Sequence, residues 1–219
     1  MYFDDRIDAA RQLADALRGY RGQDPLVLAV PRGAVPMGAE LARQLGGDLD
    51  VVLVKKLPAP GNPELAIGAV DETGWSYVAD YAAETGAHPA YIDAQRREQL
   101  RLLAARRALY TPGKAGFDPA GRIAIVVDDG LATGATMIAA LHSVRAHKPA
   151  RLVCAVPIAA ASSIAKVRPY ADELVCVEQP LDFGAVGRFY RDFSPVSDEE
   201  VAAILQQARR GAFQREATT

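Results

Sequence analysis

The chain has 219 residues, half of them hydrophobic and 24% charged, enough for a full core without disulfide staples and consistent with a single domain over residues 1–219. Its 25 Lys and Arg against 27 Asp and Glu leave a formal net charge of −2, which excludes a generally basic nucleic-acid coat and a charge-rich disordered chain. Cys154 and Cys176 lie far apart in apolar runs without CxxC spacing, so they read as small buried residues in a reducing compartment. Residues 5–18 place Ile7, Ala10, Leu13, Ala14 and Leu17 at helical spacing, with Asp4 or Asp5 as cap. The acidic start of that segment lacks the basic, apolar pattern of an export signal. The longest apolar stretch, 153–161, contains Pro157 and is too short to cross a bilayer. A soluble cytoplasmic protein with no membrane partner is therefore expected.

LVLAV (26–30) is a continuous apolar run ending at Pro31-Arg32-Gly33, and a helix follows with Pro36 in its first turn and Gly46 past its end. DVVLV (50–54) is a second such run, ending in Lys55-Lys56. The next segment, LPAPGNPE (57–64), carries Pro58, Pro60, Gly61 and Pro63 and reads as irregular. AIGAV (66–70), DETG (71–74) and WSYVA (75–79) predict a hairpin. Residues 89–110 predict one long helix. Arg96, Arg97, Arg101, Arg106 and Arg107 against Glu98 make it basic, and it reads as a solvated or dimer-lining element. Its basic stretch 96–107 has no interleaved aromatics and no helix-turn-helix precedes the core, so nucleic acid is not the expected partner. RIAIVV (122–127), a helix at 136–147, RLVCAVPI (151–158), a short helix at 161–168 and ELVCV (173–177) continue the alternation. Ser197-Asp198-Glu199-Glu200 has capping-box form before a last helix. Apolar strands each followed by a helix predict an α/β fold with a parallel sheet covered on both faces. Ligands bind such sheets at the carboxyl ends of the strands, here the loops 31–35, 55–64, 128–136 and 178–190.

The most informative segment is IVVDDGLATGATM (125–137). Backbone amides at a helix start, with the hydroxyls of Thr133 and Thr136, suit a phosphate, and Gly134 allows close backbone approach. Asp128 and Asp129 suit the hydroxyls of a vicinal diol, because charged acceptors strengthen such bonds. Acids beside a phosphate site are reconciled by one ligand that carries both a 5-phosphate and a ribose diol. No Gly-Lys-Ser/Thr or GxGxxG pattern is present. The segment resembles the signature of the type I phosphoribosyltransferases, and DDGLATGAT is especially similar to its adenine phosphoribosyltransferase version.

The resemblance covers residues 25–180 by element order. It implies a Rossmann-like parallel sheet flanked by helices, with a core over about 25–177 and a long inserted helix. It also implies a small hood at 178–193 plus the C-terminal helix. The implied reaction is displacement of pyrophosphate from 5-phosphoribosyl 1-pyrophosphate (PRPP) by a nitrogen acceptor, with Mg²⁺ as cofactor. On that reading Pro31, Arg32, Gly33 and Ala34 form the pyrophosphate loop, although many members carry a second glycine where Ala34 stands. Arg32 and one of Lys55 and Lys56 carry the catalytic charge, and residues 55–64 form a lid. The PRPP segment is Asp128, Asp129, Gly130, Leu131, Ala132, Thr133, Gly134, Ala135 and Thr136. The two acids hold the diol and metal-bound water, and 132–136 hold the 5-phosphate. Ala132 stands where members acting on 6-oxopurines usually carry an acid, which leaves adenine, another base or a small amine. Glu40 and Glu64 qualify as bases by location only. Phe183, Phe189 or Tyr190 stack on the acceptor or cover the core edge. A homodimer is the expected assembly. The competing readings are a PRPP- or nucleotide-sensing regulator of the same fold, and hydrolysis in the same pocket.

Overall fold

The computed structural model describes residues 2–113 and 115–216. Helix α1 (Arg6–Ala16) starts where Asp5 accepts the Asp8 amide at 2.8 Å, so of the two candidate caps Asp5 serves. Strand β1 (Leu26–Ala29) leads into α2 (Ala34–Leu45), which ends at left-handed Gly46, and then into β2 (Asp48–Val51). Strand β6 (Ile123–Val127), α4 (Ala135–Ala146), β7 (Arg151–Ile158), α5 (Ala161–Val167) and β8 (Glu173–Glu178) follow later in the chain. These five strands form one parallel sheet in the order β2-β1-β6-β7-β8.

The absence of polar alternation in the central strands β1, β6 and β7 has a direct structural cause. Val27, Ala29, Ile125, Val127, Val153 and Ala155 face the layer of α1, α2 and α6 (Asp198–Glu216). Leu26, Leu28, Ala124, Val126, Leu152 and Cys154 face α4 and α5. Both faces are buried, so both residue parities must be apolar. Ser197 and Glu200 close the expected capping box before α6, with bonds of 2.7 and 3.1 Å.

Residues 55–64 depart from expectation. The proposed irregular lid is a hairpin: β3 (Val54–Ala59) pairs antiparallel with β4 (Asn62–Asp71). Pro58 is accommodated because β3 is an edge strand whose register shifts on both sides of it, Pro60 lies in the turn, and Pro63 sits at the start of β4, where β5 does not pair. Strand β4 also pairs with β5 (Ser76–Val78), which is the hairpin expected over 66–79. The parallel strand expected at 50–54 divides here. Pairing with β1 ends near Val52, whose amide bonds Ala29 at 3.0 Å, and the chain then crosses into the second sheet.

Helix α3 (Pro89–Tyr110) matches the expected span. Arg101 is exposed and paired with Glu98, as a solvated face requires. Arg107 is not part of that face. Its side chain is 11% exposed and bonds Asp50, Glu72 and the Val51 carbonyl, because Asp50 is a fully buried carboxylate in β2 and needs a cation. Among the described residues no helix is long and apolar enough to cross a membrane.

Candidate functional site

Loops 31–34 and 128–136 leave the carboxyl ends of the adjacent strands β1 and β6, so the parallel register brings them together. The contact is close: a Cβ on Gly33 would lie 2.1 Å from Oδ2 of Asp129. Glycine is therefore required there by space, not by dihedral angle. The Pro31–Arg32 peptide is cis, Arg32 is exposed, and Ala34 is the buried first residue of α2. Arg32 Nη1 lies 3.6 Å from Asp198 Oδ2 at the start of α6, and the other oxygen of Asp198 accepts from Tyr110 at 2.5 Å.

Asp128 Oδ1 accepts the Asp129 amide at 2.9 Å. Oδ2 of Asp129 accepts from both Nε and Nη2 of Arg6 at 3.2 Å. Among the described residues no other residue donates to the remaining oxygens, Oδ2 of Asp128 and Oδ1 of Asp129, and both acids are half-buried. The site therefore offers one open acceptor on each acid. Burial and the neighbouring charge of Asp129 push the Asp128 carboxyl well above the usual carboxylate range. Burial also raises Asp129, and the Arg6 guanidinium works against that rise.

Past the acids, Leu131 is pinned by backbone bonds to Ile158 and Ala160, and Ser163 donates to the Ala132 carbonyl at 2.6 Å. Gly134 takes a left-handed φ of +78°, and a Cβ there would meet Val167 at 2.7 Å. The amides of Ala132, Thr133, Gly134, Thr136 and Met137 find no acceptor among the described residues. Ala132, Thr133 and Thr136 are exposed or half-buried. A cluster of uncommitted N–H groups at the start of α4 is a site for an anion.

The match to a family model decides what this arrangement belongs to: residues 3–194 fit the phosphoribosyl transferase domain. The chain belongs to that family. A Mycobacterium tuberculosis (strain H37Rv) protein carrying the provisional name phosphoribosyl transferase is 45% identical over 210 residues, 95% of this chain and 47% of the relative. The chain thus spans about half the length of the curated relatives it matches. The crystal structure of TT1426 from Thermus thermophilus superposes with a TM-score of 0.87 at 43% identity, covering 95% of this chain and 99% of that one. A Neisseria gonorrhoeae protein solved with bound ppGpp gives a TM-score of 0.52 at 12% identity over 94% of both chains, a likeness of fold alone.

Other predicted residues of this phosphoribosyl transferase domain are placed differently. Lys55 and Lys56 lie in paired β3, and among the described residues no hydrogen bond or ion pair joins them to loops 31–34 or 128–136. Phe189 and Tyr190 are 7% and 5% exposed and do not offer a face to a ligand. The hood segment lies against the N-terminal segment, where Phe3 and Tyr190 form an isolated bridge and the two rings stand 5.3 Å apart. Tyr190 instead donates to the Asp129 carbonyl at 2.7 Å, so it supports the acid loop from below. Phe183 is partly exposed. Glu40 is committed to Arg43 and Gln44 on α2, and the side chain of Glu64 lies outside the described residues.

Arg6 and Asp198 were not recognised from sequence. Arg6 falls in an ordinary amphipathic helix start, and no spacing links it to a residue 123 positions away. Asp198 reads as a helix-cap acid and no more.

Proposed function

We propose that this chain transfers a 5-phosphoribosyl group from PRPP to a nitrogen acceptor with release of pyrophosphate. The observation that supports it is the pairing of two open carboxylate oxygens, one on each adjacent acid, with the uncommitted amides of the exposed residues Ala132, Thr133 and Thr136 around the start of α4. A vicinal diol needs two acceptors, and a phosphate needs several donors. Asp128 and Asp129 hold the diol on this reading, and residues 132–136 hold the 5-phosphate. The loop Pro31–Ala34 receives the pyrophosphate, with Arg32 as its cation once it leaves Asp198. With reacting atoms held in line and charge on the leaving group balanced, no strong general base is required.

Among the described residues no group of three or more His, Cys, Asp or Glu side chains could hold a metal alone. The residues present fit a Mg²⁺ ion held chiefly by ligand oxygens, with Asp128 and Asp129 reaching its waters. When bound, Mg²⁺ supplies neutralisation of the departing pyrophosphate. On this reading Ala132 disfavours a 6-oxopurine acceptor, and Phe183, the half-exposed ring of the hood segment, stacks on a flat base. The expected homodimer and a cytoplasmic location belong to the same reading.

The experiment is incubation with PRPP, Mg²⁺ and a panel of bases and small amines, with pyrophosphate measured. Acceptor-dependent release is expected. Release without any acceptor would replace transfer by hydrolysis, and binding without turnover for every acceptor would move the reading to a ligand sensor.

A further inference from the structure

We propose that Arg6 is the positioning residue of the acid pair: by engaging Oδ2 of Asp129 from behind, it leaves Oδ1 as the acceptor for one hydroxyl of the ribose diol. The inference rests on the phosphoribosyl reading above and adds to it a residue outside the signature segment. Three features of Arg6 carry it. Its side chain is only 11% exposed and its guanidinium lies 3.9 Å over the Phe193 ring, so the group is held and not swinging in solvent. Nη1 donates to the Ser194 carbonyl at 2.8 Å while Nε and Nη2 share Oδ2 of Asp129, which fixes the plane of the guanidinium. Gly33 covers the same oxygen from the opposite loop, with its missing Cβ 2.1 Å from Oδ2 and 3.2 Å from Nη2 of Arg6. A ligand therefore cannot reach Oδ2 and meets Oδ1.

The arrangement is also built to hold its place. Tyr2 and Phe3 amides bond the Phe189 carbonyl, and Arg191 and Asp192 amides bond Phe3 and Asp4. Those bonds carry the start of α1 to the floor of the acid loop. Electrostatically, Arg6 offsets one of two adjacent carboxylates, so a polyanionic ligand faces one uncompensated negative charge beside its diol instead of two.

The test compares binding of ribose 5-phosphate with that of its 2-deoxy and 3-deoxy forms, by calorimetry, in the wild type, R6M and R6K. Melting curves serve as the check on folding. The wild type is expected to favour the full diol by about tenfold over each deoxy sugar, the size of one charge-assisted hydrogen bond. In R6M the preference over one of the two deoxy sugars falls to about twofold, since an unheld Asp129 no longer selects that hydroxyl. A weaker structural role would lower all affinities together and leave the ratios unchanged, and unchanged ratios in folded R6M overturn the proposal. In R6K the charge stays but the fork is lost, so affinity for all three sugars recovers while the ratio recovers only in part. If R6M does not fold, R6K decides, and an undiminished ratio there overturns the proposal as well. A wild type that binds neither these sugars nor Mg²⁺-PRPP refutes the phosphoribosyl reading itself, a result separate from any change in ratio.

Discussion

Replacing Arg107 by methionine is expected to cost the fold about 3–5 kcal/mol, the range for removing one partner of a buried ion pair. Arg107 bonds Asp50 through Nη1 at 2.8 Å, Glu72 through Nε at 2.6 Å and again through Nη2, and the Val51 carbonyl at 3.2 Å. It joins α3, the end of β2 and the turn after β4, three parts of the chain that share no other buried charge pair among the described residues. Burial alone would disfavour its charge, but Glu72 and Asp50 more than offset that and raise its pKa. Asp50 is 1% exposed. In R107M it keeps Arg209 and the amides of Val51 and Phe117, while Glu72 loses its partner. Urea denaturation of R107M beside R101M measures the difference. The exposed Arg101–Glu98 pair should be worth less than about 0.5 kcal/mol. A loss below about 1 kcal/mol in R107M would show that the network is incidental to the fold.

That network marks where sequence reasoning stops. Asp50 stands in an otherwise apolar run, and its cations Arg107 and Arg209 come from 57 and 159 positions away. Composition shows five arginines on one helix but cannot show that one of them turns inward. The parallel sheet was legible because burial on both faces forces the residues of its central strands to be apolar, a local signal. The acid-and-amide loop was legible for a related reason: its strand end, two acids, left-handed Gly134 and helix start fall within thirteen consecutive residues. The segment 57–64 was misread as irregular because three prolines and a glycine ordinarily break strands. An edge position and a register shift tolerate Pro58, and the turn and the unpaired start of β4 take Pro60 and Pro63, none of which is visible before the sheet is assembled. Phe189 and Tyr190 were open to two readings, and packing against Phe3 from the other end of the chain places them in the interior. The same pairing brings Arg6 to Asp129. What could not be read in each case is a contact between segments far apart in sequence.

The paired substitution Asp128→Asn with Asp129→Asn should weaken PRPP binding at least about 100-fold, two charge-assisted hydrogen bonds at about tenfold each, and leave the fold standing. The geometry separates the two effects atom by atom. Asp128 uses Oδ1 for the Asp129 amide, and an asparagine carbonyl can take the same bond. Asp129 uses Oδ2 for Arg6, and an asparagine carbonyl can accept from the guanidinium there too, more weakly. With each carbonyl committed to the protein, the amide NH₂ replaces the open oxygen and presents a donor where a hydroxyl needs an acceptor. The structural bonds survive in kind and the ligand bonds do not. Asp128 is also held above the usual carboxylate range by burial beside Asp129, so its neutralisation removes a repulsion and does not open a new cost. Titration calorimetry with Mg²⁺-PRPP reads the loss, and circular dichroism with a melting curve reads the fold. Binding that survives in a correctly folded double variant would remove the diol from these two acids and, with it, the basis for assigning a phosphoribosyl ligand to this loop.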